Sequence, residues 1–187
     1  MMPARCEEPP ASDSLYRENM HRVARWAERL AGPTLDLEDI VHEVFAIAYE
    51  RMASFRGDSA VSTWLFGITS RVVRHRRRKE RWRRWLSGSS EETAGHMASP
   101  LPDPLRVAER NQDAVIVYRV LDRLSERDRK VIVLCELEEL NAEEVAELLG
   151  IQPSNARLRL HRAHARFLRV YEEYERKEKE EGRYHAR

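Results

Sequence analysis

Two runs of arginine carry the chemistry that this sequence advertises. Residues 71–84 read RVVRHRRRKERWRR, and residues 157–169 read RLRLHRAHARFLR. Arginine supplies 29 of the 33 basic residues, and its planar guanidinium suits paired hydrogen bonds to phosphate and guanine better than the ammonium of lysine. The net charge is only +1, so overall charge alone cannot hold a polyanion. Distribution can, because the acidic residues gather elsewhere, in 38–50, 136–147 and the C-terminal end. Separate faces imply separate partners. Trp82 and Trp85 interleave with the first run, and Trp64 and Phe66 precede it. Arginines bind phosphate while aromatic rings stack on exposed bases, so this segment is expected to meet nucleic acid. The alternative is a solvated helix, which would leave nine basic side chains in mutual repulsion without a counter-surface.

Other chemistries are not written. There is no phosphate-cradling glycine loop, nucleophile motif or cluster of metal ligands, so neither an enzyme nor a cofactor is expected. His161 and His164 have no carboxylate or thiol at ligand spacing beside them. Cys6 and Cys135 are too few for a disulfide framework or a zinc site, and Cys135 falls in an apolar helix as an expected core residue. No stretch approaches the roughly 18 apolar residues of a membrane span, and the N-terminus lacks the apolar core of a signal peptide. A cytoplasmic location without membrane insertion is expected.

The elements that must position these residues are helical. Tyr16, Met20, Val23, Ala27 and Leu30 recur at helical spacing until Gly32-Pro33 stops the pattern. Next, DLEDIVHEVFAIAYERM sets Leu37, Ile40, Val41, Val44, Phe45, Ala48 and Met52 on one face and Asp39, Glu43 and Glu50 on the other. A turn at SFRGDSA leads into a third helix, whose Trp64, Leu65, Ile68 and Val72 pack inward before the basic run begins. The Ser, Gly and Pro density after Ser87 predicts a linker. Beyond it, apolar residues around Val117, Val131 and Val145 mark three further helices, and a last one starts near Pro153. Ser125 with Asp128 and Asn141 with Glu144 have the spacing of N-terminal caps. The final stretch EEYERKEKEEGRYHAR alternates charges and reads as a fraying tail.

Within NAEEVAELLGIQPSNARLRLHRAHARF, Ala146, Gly150 and Ala156 have helix-turn-helix spacing. The second helix would be the reader, with Ser154, Asn155 and Arg157 at its entering end and Arg159, Arg162, Arg166 and Arg169 on its outer face. An ordinary helical hairpin would carry the same arginines. The acidic face of Glu38, Asp39 and Glu43 suits a basic protein helix or plain solvation.

In order, DLEDIVHEVF, SFRGDSAVSTWLFGI, a basic helix, a linker and LSERDRKVIVLCELEELNAEEVAELLGI with RLRLHRA resemble, over nearly the whole chain, a sigma factor of the extracytoplasmic-function group of the sigma-70 family. The resemblance implies an all-α protein of two small helical domains joined by a flexible linker. Its divisions would be an N-terminal tail (1–12), region 2 (13–86), the linker (87–106), region 4 (107–173) and a charged tail (174–187). It implies a transcription initiation factor that binds core RNA polymerase and reads the -10 and -35 promoter elements. Leu37, Asp39, Ile40, Glu43 and Phe45 would dock on the beta-prime coiled coil. Arg56, Ser59, Ser62, Thr63 and Trp64 would melt the -10 element and hold a flipped base, with Arg71, Arg74, Arg77 and Arg78 beside them on the DNA. Ser154, Asn155, Arg157, Arg159 and Arg162 would read the -35 element, and the beta flap would contact the same domain. An anti-sigma factor is the implied regulator. His42, Ser70, Arg71 and His75 depart from the family's usual residues, three of them on the helix expected to face the promoter.

Overall fold

The computed structural model describes residues 12–33, 35–86 and 104–185. The expected tail, Cys6 and most of the expected linker lie outside the described residues. Among the described residues seven α-helices form and there is no strand. The fold class is all-α, as expected, in two helical domains.

The first domain packs α1 (Ser12–Ala31), α2 (Leu37–Arg51) and α3 (Val61–Leu86) pairwise against one another. Leu15, Val23, Ala27, Ile40, Val44, Ala48 and Leu65 are fully buried, each of the larger ones contributing on the order of 1.5–3 kcal/mol. Trp26 and Phe66 meet edge to face with ring centroids 5.2 Å apart and close the core. Gly32 ends α1 in the left-handed region at φ 77°, its amide donating to the Glu28 carbonyl. A 3-10 turn, Met52–Ser54, carries α2 into the loop before α3.

The second domain comprises α4 (Pro104–Arg123), α5 (Glu126–Ile132), α6 (Ala142–Leu149) and α7 (Pro153–His185). Helix α4 opens inside the stretch expected as linker. Helix α7 runs past Tyr174 to His185, so the expected fraying tail is helical. The Tyr174 hydroxyl accepts from Arg119 on α4, which gives the extension a tertiary anchor that charge alternation does not reveal. Ser125 caps α5 by accepting from the Asp128 amide, as the spacing predicts. Helix α5 widens into a π segment, Val133–Leu137, and Glu139 then turns the chain at φ 56°.

The two domains touch through polar clusters as well as apolar ones. Arg129 on α5 is 1% exposed and donates Nε and Nη2 to the Leu30 carbonyl at the end of α1, at 3.3 and 2.9 Å. Burial, then the nearby charge of Arg77, pushes its pKa down to about 10. Its guanidinium also lies over the Tyr118 ring, 5.6 Å from the centroid. Glu138, its side chain fully buried, sits 2.8 Å from Nε of both Arg25 and Arg29 on α1. Helix α3 packs on α6.

Candidate nucleic-acid interface

Asn141 begins the helix-turn-helix by accepting from the amides of Glu143 and Glu144, both at 3.0 Å, while the Glu144 carboxylate accepts from the Asn141 amide at 2.9 Å. This reciprocal box satisfies three donors that a helix start leaves open. Gly150 at φ 62° ends α6, and the Ile151 amide returns to the Ala146 carbonyl. Ala146, Ala156 and Ala163 are all buried; their small side chains let α6 and α7 approach closely.

That packing presents Ser154, Asn155, Arg157 and Arg162 to solvent and leaves Arg159 half-buried. Arg157 is paired with Glu143 of α6 at 2.5 Å, so one expected reader is already held by a carboxylate. Arg159, Arg162, Arg166 and Arg169 line a cleft of about 950 Å³ with Arg123 and Arg127 across from them. Arg166 is tied to Asp128 at 2.7 Å. Leu158, 47% exposed among these arginines, was not anticipated.

The second group surrounds the start of α3. Phe55 and Trp64 stack obliquely with centroids 5.0 Å apart, and Gly57 turns the loop between them at φ 68°. Arg56 and Ser59 are exposed, while Ser62, Thr63 and Trp64 are half-buried in the first turn. The Thr63 hydroxyl is buried without a hydrogen-bond partner. Further along, Arg71, Arg74 and Arg78 are exposed at helical spacing.

Arg77 departs from the expected DNA-facing set. It is 7% exposed and engages Asp122 at 2.5 Å and Glu126 at 3.1 Å, both from the second domain. Helical rotation points it away from the stripe of Arg71, Arg74 and Arg78. Ser70 is likewise buried rather than on an outward face. Trp82 and Trp85 stand exposed at the far end of α3, with centroids 5.9 Å apart.

On α2, Asp36 caps the helix through the Asp39 amide. Asp39 is exposed, whereas Leu37 and Glu43 are half-exposed. Ile40 and Phe45, expected on the docking surface, are core residues at 0% and 2% exposure. Phe45 packs on Tyr16, with centroids 4.7 Å apart. These two side chains hold the acidic edge in place from beneath instead of forming it. Arg76 of α3 reaches that edge, with Nε 2.7 Å from Glu43 Oε2 and Nη1 3.2 Å from Asp39 Oδ2. The Glu43 hydrogen bond leads the causes that raise the Arg76 pKa above its ordinary value. The acidic and basic helices are therefore neighbours, which their separation in sequence conceals.

Comparison with known proteins gives this geometry its context. The Sigma-70 region 2 family matches residues 15–83, and the Sigma-70 region 4 family matches residues 114–166. The ECF RNA polymerase sigma-E factor of Escherichia coli (strain K12) is 32% identical over 150 residues, covering 76% of this chain and 77% of that protein. The ECF RNA polymerase sigma factor SigM of Mycobacterium tuberculosis is 29% identical over 166 residues, covering 86% and 76%. Among solved structures, CnrH in complex with the cytosolic domain of CnrY aligns with TM-score 0.56 at 20% identity, over 86% of this chain and 87% of that one. The sigma factor RpoE in complex with the anti-sigma factor NepR from Bartonella quintana gives TM-score 0.56 at 22% identity, over 86% and 96%. The chain belongs to the sigma-70 family as an extracytoplasmic-function RNA polymerase sigma factor, a promoter-specific transcription initiation factor.

Proposed function

We propose that this sigma factor docks on core RNA polymerase through the acidic edge of α2, reads the -35 element with the N-terminal half of α7, and opens the -10 element at the start of α3. The observation that carries the reading is α7. Its Ser154, Asn155 and Arg162 stand exposed at the entering end of a capped helix-turn-helix, where side chains reach base edges in a major groove.

At the -10 element, Trp64 beside Phe55 offers a stacking surface, and the buried unpartnered hydroxyl of Thr63 offers a hydrogen bond to a flipped base. Extruding a base costs a few kcal/mol, which such a pocket offsets. Arg71, Arg74 and Arg78 follow as phosphate contacts. Asp39 and Glu43 are the charge complement of a basic polymerase helix, with Leu37 beside them. CnrH and the Bartonella RpoE were solved with CnrY and with the anti-sigma factor NepR; a regulator of that class is proposed here too. Action beside polymerase places the protein in the cytoplasm, and among the described residues no helix is long and apolar enough to cross a membrane.

Co-elution with purified core RNA polymerase tests the docking half. Wild type should co-elute, and Asp39→Ala with Glu43→Ala should abolish or weaken it while the fold persists. Failure of folded wild type to bind core enzyme, with DNA binding retained, would instead make the protein a stand-alone DNA-binding regulator.

A further inference from the structure

Helix α3 presents a longer stripe than its opening turn uses. Arg71, Arg74 and Arg78 stand exposed in a row along it. The same spacing of three or four residues continues back through Gly67 to Trp64 and forward to Trp82 and Trp85. One face of the helix therefore carries them all, while Leu65, Ile68, Val72, Val73 and Arg77 occupy the buried remainder. The result is a row of guanidinium groups with aromatic rings at each end.

Packing does not explain the far end of this stripe. Trp82 and Trp85 are 57% and 75% exposed, and their rings meet edge to face with centroids 5.9 Å apart. Leaving two indoles in water forgoes the burial that stabilises Trp26 in the core. Glu80, the only carboxylate in this run, pairs with Arg83 at 3.7 Å, while Arg78, Lys79 and Arg81 stand exposed near the rings. The Sigma-70 region 2 match stops at residue 83, whereas α3 runs on to Leu86, so the family resemblance assigns this pair no role.

Aromatic faces set among cations fit a single strand, whose unpaired bases are free to stack on them and whose phosphates meet the arginines. Gly67 points the same way. A Cβ added there meets nothing within 4 Å, and alanine holds a helix better than glycine. The fold does not require that glycine, but its bare backbone lets a ligand pass close to the helix. Distance sets the length of the strand. Trp64 and Trp82 lie about 27 Å apart along the axis at roughly 1.5 Å per residue, which a stacked strand spans in roughly eight nucleotides at about 3.4 Å each.

We propose that Trp82 and Trp85 form a second stacking site for single-stranded DNA, continuous with the one at Trp64, so that α3 holds an opened strand along its length. The continuity rests on the function proposed above, in which Trp64 receives an unpaired base. The second site itself stands on the exposed rings and the cations around them.

Fluorescence anisotropy of the full chain with labelled oligothymidylates of roughly four and roughly twelve nucleotides tests this, since only the longer one spans both ends. Wild type should bind the longer strand more tightly. Trp82→Ala with Trp85→Ala should weaken that binding at least about fivefold, the effect of losing one stacked base. Trp82→Phe with Trp85→Phe keeps the stacking faces and should restore most of it. A duplex of the same length should bind wild type and the alanine variant alike. Circular dichroism would verify that each variant stays helical.

Loss on the longer single strand but not on duplex supports the second site. An alanine variant that binds the longer strand as wild type does overturns it, and weaker co-elution of that variant with core polymerase would reassign the rings to a protein surface. Equal loss on single strand and duplex also overturns it, making the pair a general DNA contact. A longer strand that gains nothing over the short one in wild type removes the continuity. Loss in the alanine variant with none in Trp64→Ala would sink the -10 reading of Trp64 while leaving the second site standing.

Discussion

Arg76 on α3 places its Nε 2.7 Å from Oε2 of Glu43 on α2, so the acidic edge proposed for polymerase is partly neutralised from within its own domain. A docking partner must compete with that guanidinium. Arg76→Ala is expected to tighten binding to core polymerase. The gain should be at most about fivefold, because a partly exposed ion pair is worth up to about 1 kcal/mol. Competition for core enzyme against a labelled wild-type chain would measure it, and weaker binding by the variant would place Arg76 itself in the interface.

Arg162 is exposed on α7. Arg162→Ala should lose about 1–3 kcal/mol at a -35 site where it contacts guanine, and much less where that base is changed. Holoenzyme binding to promoters with single-base changes separates this outcome from a uniform loss, which would mark a phosphate contact. Glu143→Ala frees Arg157 from its ion pair and should strengthen binding in the same assay.

The helix-turn-helix stands on local geometry that stability measurements can read. Asn141→Ala removes a cap that satisfies two amides and should cost about 1 kcal/mol. Gly150→Ala meets no atom within 4 Å of its new Cβ, so its cost is backbone strain alone, about 1–2 kcal/mol at φ 62°. Urea unfolding should show lower midpoints with unchanged slopes.

Burial raises the pKa of the Tyr118 phenol above its ordinary value of 10, and the charge of Arg129 opposes part of that rise. The folded state thus favours the neutral phenol. Its contribution to stability is fully present below about pH 10 and is lost as pH climbs through the raised folded value. Ultraviolet titration of wild type against Tyr118→Phe should reveal one late-ionising tyrosine, and its absence would remove Tyr118 from a buried setting.

Much of the fold was legible because it is written locally. The stops at Gly32 and Gly150, the caps at Ser125 and Asn141, and the apolar spacing of α1, α2 and α3 each involve residues within a few positions of one another. The inward alanines of the helix-turn-helix fall under the same heading. The extent of α7 was not legible, because the residues beyond Tyr171 look solvated until Tyr174 is seen against Arg119. The apolar spacing of α2 set Ile40 and Phe45 on the inward face, where they lie, although the family resemblance grouped them with Asp39 and Glu43 as docking residues.

The order and type of the helices, the capped first helix of the helix-turn-helix and the segregation of acidic from basic segments were determined by the sequence alone, since each depends on periodicity and short-range hydrogen bonds. Only the tertiary structure decided that Arg77 is buried, that Arg76 shields Glu43 and that Glu138 is clamped by Arg25 and Arg29. Those pairs join residues 45, 33 and 113 positions apart. A charge's partner over such spans is set by how whole helices pack, and no local pattern encodes it.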